Sequence, residues 1–168
     1  SLSFTPETAT EYAFKHTVEK DAVDGAFDVS VAMTDTVDNP STIDIGTLTT
    51  DSTVPTITNV VASASRFSTD GAHDGVNVTF DLNEDVGGSL KVTVAGEPMA
   101  CNTWQGKLGS HSCDYTVDGE EGSNVHDVVI SAKDAAGNVG YGSTQVTFDF
   151  QAPGIDMAVA SPSPAVVG

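Results

Sequence analysis

Three observations on this sequence predict an all-β fold of the sandwich type. Apolar residues alternate with polar ones over short stretches, the period of a half-buried strand. Turn residues recur every ten positions or so, and no stretch carries the helical period of apolar residues. About seven such strands fill a unit of roughly 99 residues, the pattern of an immunoglobulin-like β-sandwich. A parallel α/β sheet is excluded, because nothing in the chain could serve as an amphipathic crossover helix.

The strands follow in order through one complete unit. Pro55 opens it, and Thr56 to Val61 alternates as a first strand. The run Ser68 to Gly75 is rich in Asp and Gly and reads as a loop. Val76 to Leu82 alternates with Val76, Val78, Phe80 and Leu82 inward. Asn83 to Gly88 turns the chain, and Leu90, Val92 and Val94 form the next inward set. A less regular stretch from Gly96 to Ser112 holds Trp104, which is expected to pack near the cysteines. Tyr115 and Val117 begin another strand, and Gly119 to Gly122 is a loop. Val125 to Ala132 is a strand, Asp134 to Asn138 a tight turn, and Gln145 to Phe150 the last strand.

The chain also says the same thing twice. Phe14 to Ser63 lines up with Cys113 to Ser161: Thr17-Val18 falls on Thr116-Val117, Asp28-Val29 on Asp127-Val128, Asp35 on Asp134 and Asn39 on Asn138. After a one-residue deletion, Asp51, Pro55 and Ile57 fall on Asp149, Pro153 and Ile155. A fixed period marks modules in a row. The expected organisation is the C-terminal half of a first module over residues 1–53, a complete module over 54–153, and the opening or donor strand of another over 154–168. Residues 1–53 carry inward apolar positions (Phe27, Val29, Val31, Ile45, Leu48) with no second sheet of their own to cover them. Leaving such side chains wet costs roughly 1.5–3 kcal/mol each, so the segment is disordered, packed on the complete module or completed by another chain, and the last is expected. Ile155, Met157 and Val159 of a neighbour's tail are the candidate assembly residues, added by strand donation.

Charge and cysteines narrow the function. The chain holds 24 acidic residues, 17 of them Asp, against six basic ones, for a net charge of −18. Nucleic acid and anionic membrane surfaces both require clustered Lys and Arg, so neither is an expected partner. No apolar run is long enough to cross a membrane. Cys101 and Cys113 fall on Leu2 and Phe14 of the other copy, so a cysteine pair replaces two apolar positions. A disulfide between neighbouring strands would do this; two buried thiols are the alternative. A disulfide would imply an oxidising, extracellular setting.

The residues Asp134-Ala135-Ala136-Gly137-Asn138, then Asp149 and Ala152-Pro153 with Ile155, resemble the bacterial Ig-like tandem repeats of large cell-surface adhesins. There, "D-x-A-G-N … D-x-x-A-P-x-I" joins one module to the next. Asp35 to Asn39 followed by Asp51 to Ile57 is a degraded version, with Val37 and Asp38 in place of Ala and Gly. The resemblance implies the fold and architecture. It also implies junctions stiffened by calcium.

In the immunoglobulin topology the linker around Asp51 is expected to meet Asn83, Glu84 and Asp85 of one loop and Asp134 to Asn138 of another. That gathers carboxylates and an amide oxygen where two modules touch, and calcium takes six to eight such oxygens. The alternative is a set of Asp and Asn residues that cap turns. Catalysis finds no support. The four histidines show no metal-binding or triad spacing, and Asp127 beside His126 on a strand points to the opposite face.

The expected function is therefore a non-catalytic extracellular or cell-surface spacer, with neighbouring modules or identical subunits as partners. A filament or sheath subunit assembled by strand complementation is the second reading, and an accessory module of a secreted hydrolase the third.

Overall fold

The computed structural model describes residues 3–8, 11–19, 22–102 and 106–159. Trp104, Leu2 and the tail beyond Val159 lie outside them. The described chain is all-β. Two hairpins come first. In one, β1 (Ser3–Thr8) pairs antiparallel with β2 (Glu11–Lys15). In the other, β3 (Gly25–Thr34) pairs with β4 (Pro40–Thr50).

A two-sheet sandwich follows. Its strands are β5 (Ile57–Ala62), β6 (Arg66–Phe67), β7 (Gly75–Leu82), β8 (Lys91–Val94), β9 (Glu97–Pro98), β10 (Ala100–Cys101), β11 (Gly109–Thr116), β12 (Asn124–Lys133) and β13 (Val139–Phe148). One sheet runs β10-β11-β7-β5, and the other β6-β13-β12-β8-β9. Among the described residues only β6 pairs in parallel, with β13.

The alternating strands place their apolar sets as their sequence dictates. Val76, Val78, Phe80 and Leu82 of β7 face Val92 and Val94 of β8, Val128, Ile130 and Ala132 of β12, and Val146 and Phe148 of β13. These side chains are essentially dry. Burying each one contributes roughly 1.5–3 kcal/mol, which makes this layer the source of the sandwich's stability. Cys101 and Cys113 sit opposite each other on β10 and β11 and are joined by a disulfide. The bond fastens a two-residue edge strand that a ladder of hydrogen bonds alone would hold weakly.

The last strand begins at Val139, six residues earlier than alternation suggests. The run Gly140-Tyr141-Gly142 hides the period, because glycine stands where an apolar side chain would otherwise mark the inner face. Both glycines have a packing reason. A β-carbon on Gly140 would sit 1.8 Å from the Pro55 carbonyl oxygen, and one on Gly142 would sit 2.6 Å from Ile57 Cγ2. The opening segment of the sandwich thus lies in a groove that only glycine leaves open.

The repeat seen in the sequence reappears in the pairing. β3 and β12 begin and end 99 positions apart, at Gly25 and Asn124 and at Thr34 and Lys133. β4 and β13 begin 99 apart and end 98 apart. The missing residue has a location. The β3–β4 ladder pairs Val29 with Gly46 and then Ser30 with Asp44, leaving Ile45 as a bulge. The β12–β13 ladder pairs Val128 with Thr144 and Val129 with Ser143 without interruption. Ile45, expected on the inner face, is that bulged residue and is exposed.

Candidate junction site

The segment joining the second hairpin to the sandwich is held at three points. Asn138 Nδ2 donates to the Asp51 carbonyl at 3.1 Å. The Thr56 N–H donates to Asn83 Oδ1 at 2.6 Å, and the Asn83 N–H donates back to the Thr56 carbonyl at 3.2 Å. Pro55 between them is fully buried against Gly140. Proline suits this position because it fixes φ and leaves no N–H to satisfy in the buried groove.

Asp134 organises the turn that supplies Asn138. Its Oδ1 accepts the N–H groups of Gly137 at 2.7 Å and Asn138 at 2.9 Å, and its Oδ2 accepts Asn138 Nδ2 at 2.8 Å. Gly137 takes φ +104°, which a side chain would resist. Asp35 builds the same turn in the first copy. It accepts the Val37 and Asn39 N–H groups at 2.9 Å each and Asn39 Nδ2 at 2.8 Å. There Asp38 occupies the left-handed position, at φ +66°.

Asp51, Glu84 and Asp134 meet at the junction, with one carboxylate oxygen of each within 4.8 Å of the others. Asp134 is buried and Glu84 half-buried. Burial, and then the charges of Asp134 and Asp51, push the Glu84 carboxyl above its usual range. Burial acts in the same direction on Asp134 but is outweighed by the hydrogen bonds from Asn138, Gly137 and Ala136, which hold its carboxyl below the usual range. One acid of the group therefore stays firmly ionised while another resists ionisation.

Two residues expected in this group play other parts. Asp85 turns away, to Lys107 Nζ at 2.8 Å and the Leu108 N–H at 2.7 Å. A cation and a backbone donor on the neighbouring strand connection compete successfully for it. Asn138 presents its nitrogen to Asp51 and Asp134, so it braces the acids. Asn83, placed against the linker with Glu84 and Asp85 by the sequence, ties down Thr56.

The remaining candidates are spread apart. The exposed Ile155, Met157 and Val159 lie in chain without regular secondary structure beyond β13. His73 is paired with Asp70, His126 packs on Phe148, and Asp127 takes Gln145 Nε2 on the outer face of the same strand. His111 is buried, stacks on Phe80 and meets the Lys107 carbonyl through Nε2 at 2.6 Å.

No protein-family model matches this chain, and no curated protein sequence matches it either. Two solved structures match part of this chain. One is a calcium-stabilised adhesin with which an Antarctic bacterium binds ice, at 23% identity and TM-score 0.37 over 76% of this chain and 32% of that one. The other is a 1.5-MDa bacterial ice-binding adhesin, from work on its retention at the host cell surface, at 22% identity and TM-score 0.35 over 75% of this chain and 42% of that one. This chain thus spans less than half of either.

Proposed function

We propose that this chain is a non-catalytic extracellular spacer, built of immunoglobulin-like modules in tandem in a bacterial surface protein. In this reading its junctions are stiffened by calcium. The observation that carries the proposal is the meeting of Asp51, on the linker, with Glu84 and Asp134, on two loops of the sandwich. The donors suit a hard cation: all are oxygen, and burial, with the charges of Asp134 and Asp51, holds the Glu84 carboxyl above its usual range. A divalent ion would cancel the repulsion and tie the linker to both loops. Asp51, Glu84 and Asp134 would hold it, with water completing the shell, while Asn83 and Asn138 keep the linker in place.

Calcium added to the chelated protein should raise the melting temperature by mass action and lengthen the particle in small-angle scattering. Glu84→Gln tests the site most cleanly, because Glu84 has no part in the Asp134 turn, and it should remove most of that gain. Identical melting and scattering profiles in calcium and in chelator would leave the acidic group a solvated turn and remove the stiffening role.

The second reading is a filament subunit completed by strand donation between chains. The exposed apolar tail at Ile155, Met157 and Val159 favours it. That arrangement predicts concentration-dependent polymers, which a spacer would not form.

A further inference from the structure

The β3–β4 hairpin presents an inner face that the described residues cover only in part, with Val29 and Val31 half-buried. Val29, Val31 and Met33 stand where Val128, Ile130 and Ala132 stand on β12. The three β12 residues are 0% exposed, whereas Met33 is 54% and the adjacent Phe27 46% exposed. Between this hairpin and β2 lies a cleft of about 780 Å3, lined by Phe14, His16, Val18, Val29 and Leu48 among others.

The sandwich shows what belongs there. β8 pairs with β12 through Val94–Val128, Thr93–Val129, Val92–Ile130 and Lys91–Ser131. β7 lies along β11, the counterpart of β2, and fills the space between the sheets with Val76, Val78, Phe80 and Leu82. Transferred by the repeat, the β8 register on β3 would set Val94 against Val29, Thr93 against Ser30, Val92 against Val31 and Lys91 against Ala32. These are compatible cross-strand pairs, with the apolar ones facing inward.

The same comparison argues against the other natural occupant. An opening segment like Pro55–Ile57, of which Pro153–Ile155 is the copy, lies against Gly140 and Gly142 of β13. The counterparts on β4 are Ser41 and Ile43. Their β-carbons would meet that segment at the 1.8 and 2.6 Å that glycine avoids, and the first of these collisions is with backbone.

We propose that the open face of residues 11–50 is a docking site for a β7–β8 strand pair, the front half of a module of this same repeat, and that it rejects the opening-strand tail of a second copy. This deepens the tandem-repeat reading and is independent of calcium.

The probe is a synthetic peptide of residues 74–99, added without calcium to the full chain and followed by hydrogen-exchange mass spectrometry. Binding at one peptide per chain should slow exchange at least tenfold across Ala26–Met33 and leave β12 unchanged. Val31→Asp should abolish the effect. In case that variant disrupts the hairpin, Ser41→Gly with Ile43→Gly provides a gain-of-binding test: a peptide of residues 150–168 should then bind where it does not bind the unaltered chain. Protection of β3 by that tail peptide in the unaltered chain would overturn the proposal. So would β3 already protected in a dimer of the chain alone, or no protection by the 74–99 peptide. Calcium stiffening surviving any of these results would leave the spacer reading intact, so the two failures are separable.

Discussion

The β3–β4 and β12–β13 hairpins share an Asp-centred turn and, up to the Ile45 bulge, a register, yet one is dry on its inner face and the other largely exposed. In both turns the Asp carboxylate accepts two N–H groups and the asparagine amide, the one difference being that Val37 donates two positions on in the first and Gly137 three positions on in the second. Local sequence thus suffices to build the hairpin. Whether it is rigid depends on what packs against it, because a two-stranded ribbon has little stability of its own.

The largest break in this comparison should come from the core. Ile130→Ala should cost about 3–4 kcal/mol in denaturant unfolding, whereas Val31→Ala at the equivalent site should cost less than ~1 kcal/mol. Equal costs would mean that both faces are covered in solution. Reducing the disulfide should destabilise the sandwich by about 3 kcal/mol and leave the first hairpins unchanged, since its loop closes entirely within the sandwich. Gly140→Ala should cost about 2–3 kcal/mol by forcing Pro55 from its groove, an overpacking penalty that Ser41→Ala cannot show. At the turns, Gly137→Ala should cost about 1–2 kcal/mol for its left-handed backbone, while Asp38→Gly should gain less than ~1 kcal/mol.

The smallest effect is on pH dependence. Glu84 titrates above its usual range when folded, so without calcium it binds more protons in the native than in the unfolded chain. Lowering the pH from neutral towards the usual Glu range should therefore stabilise the junction slightly. Asp134 has the opposite sign: its contribution is intact above the usual Asp range and is lost as pH falls through its depressed folded value. The stability curve should accordingly pass through a shallow maximum on the acid side, which Glu84→Gln flattens. A monotonic decline on acidification in wild type would break the assignment.

Much of this was legible in the chain. Alternation located β7, β8 and β12, and the repeat matched Asp35 with Asp134 and Asn39 with Asn138. The one-residue deletion in that alignment marks the Ile45 bulge, although alternation alone had placed Ile45 inside. What escaped depended on distant partners. The start of β13 was hidden because Gly140 and Gly142 answer to Pro55 and Ile57, more than eighty positions earlier. Asp85 was grouped with the junction acids because its neighbour Glu84 is there, whereas Lys107 settles its direction.

Residue-resolved hydrogen exchange on the full chain, without calcium or added peptide, tests the comparison most directly. Amides of Val128 to Ala132 should open only with global unfolding of the sandwich. Those of Val29 to Met33, in the same strand positions of the same turn-built hairpin, should exchange orders of magnitude faster. Equal protection of the two strands would contradict the account, because it would require the first hairpin's inner face to be already covered.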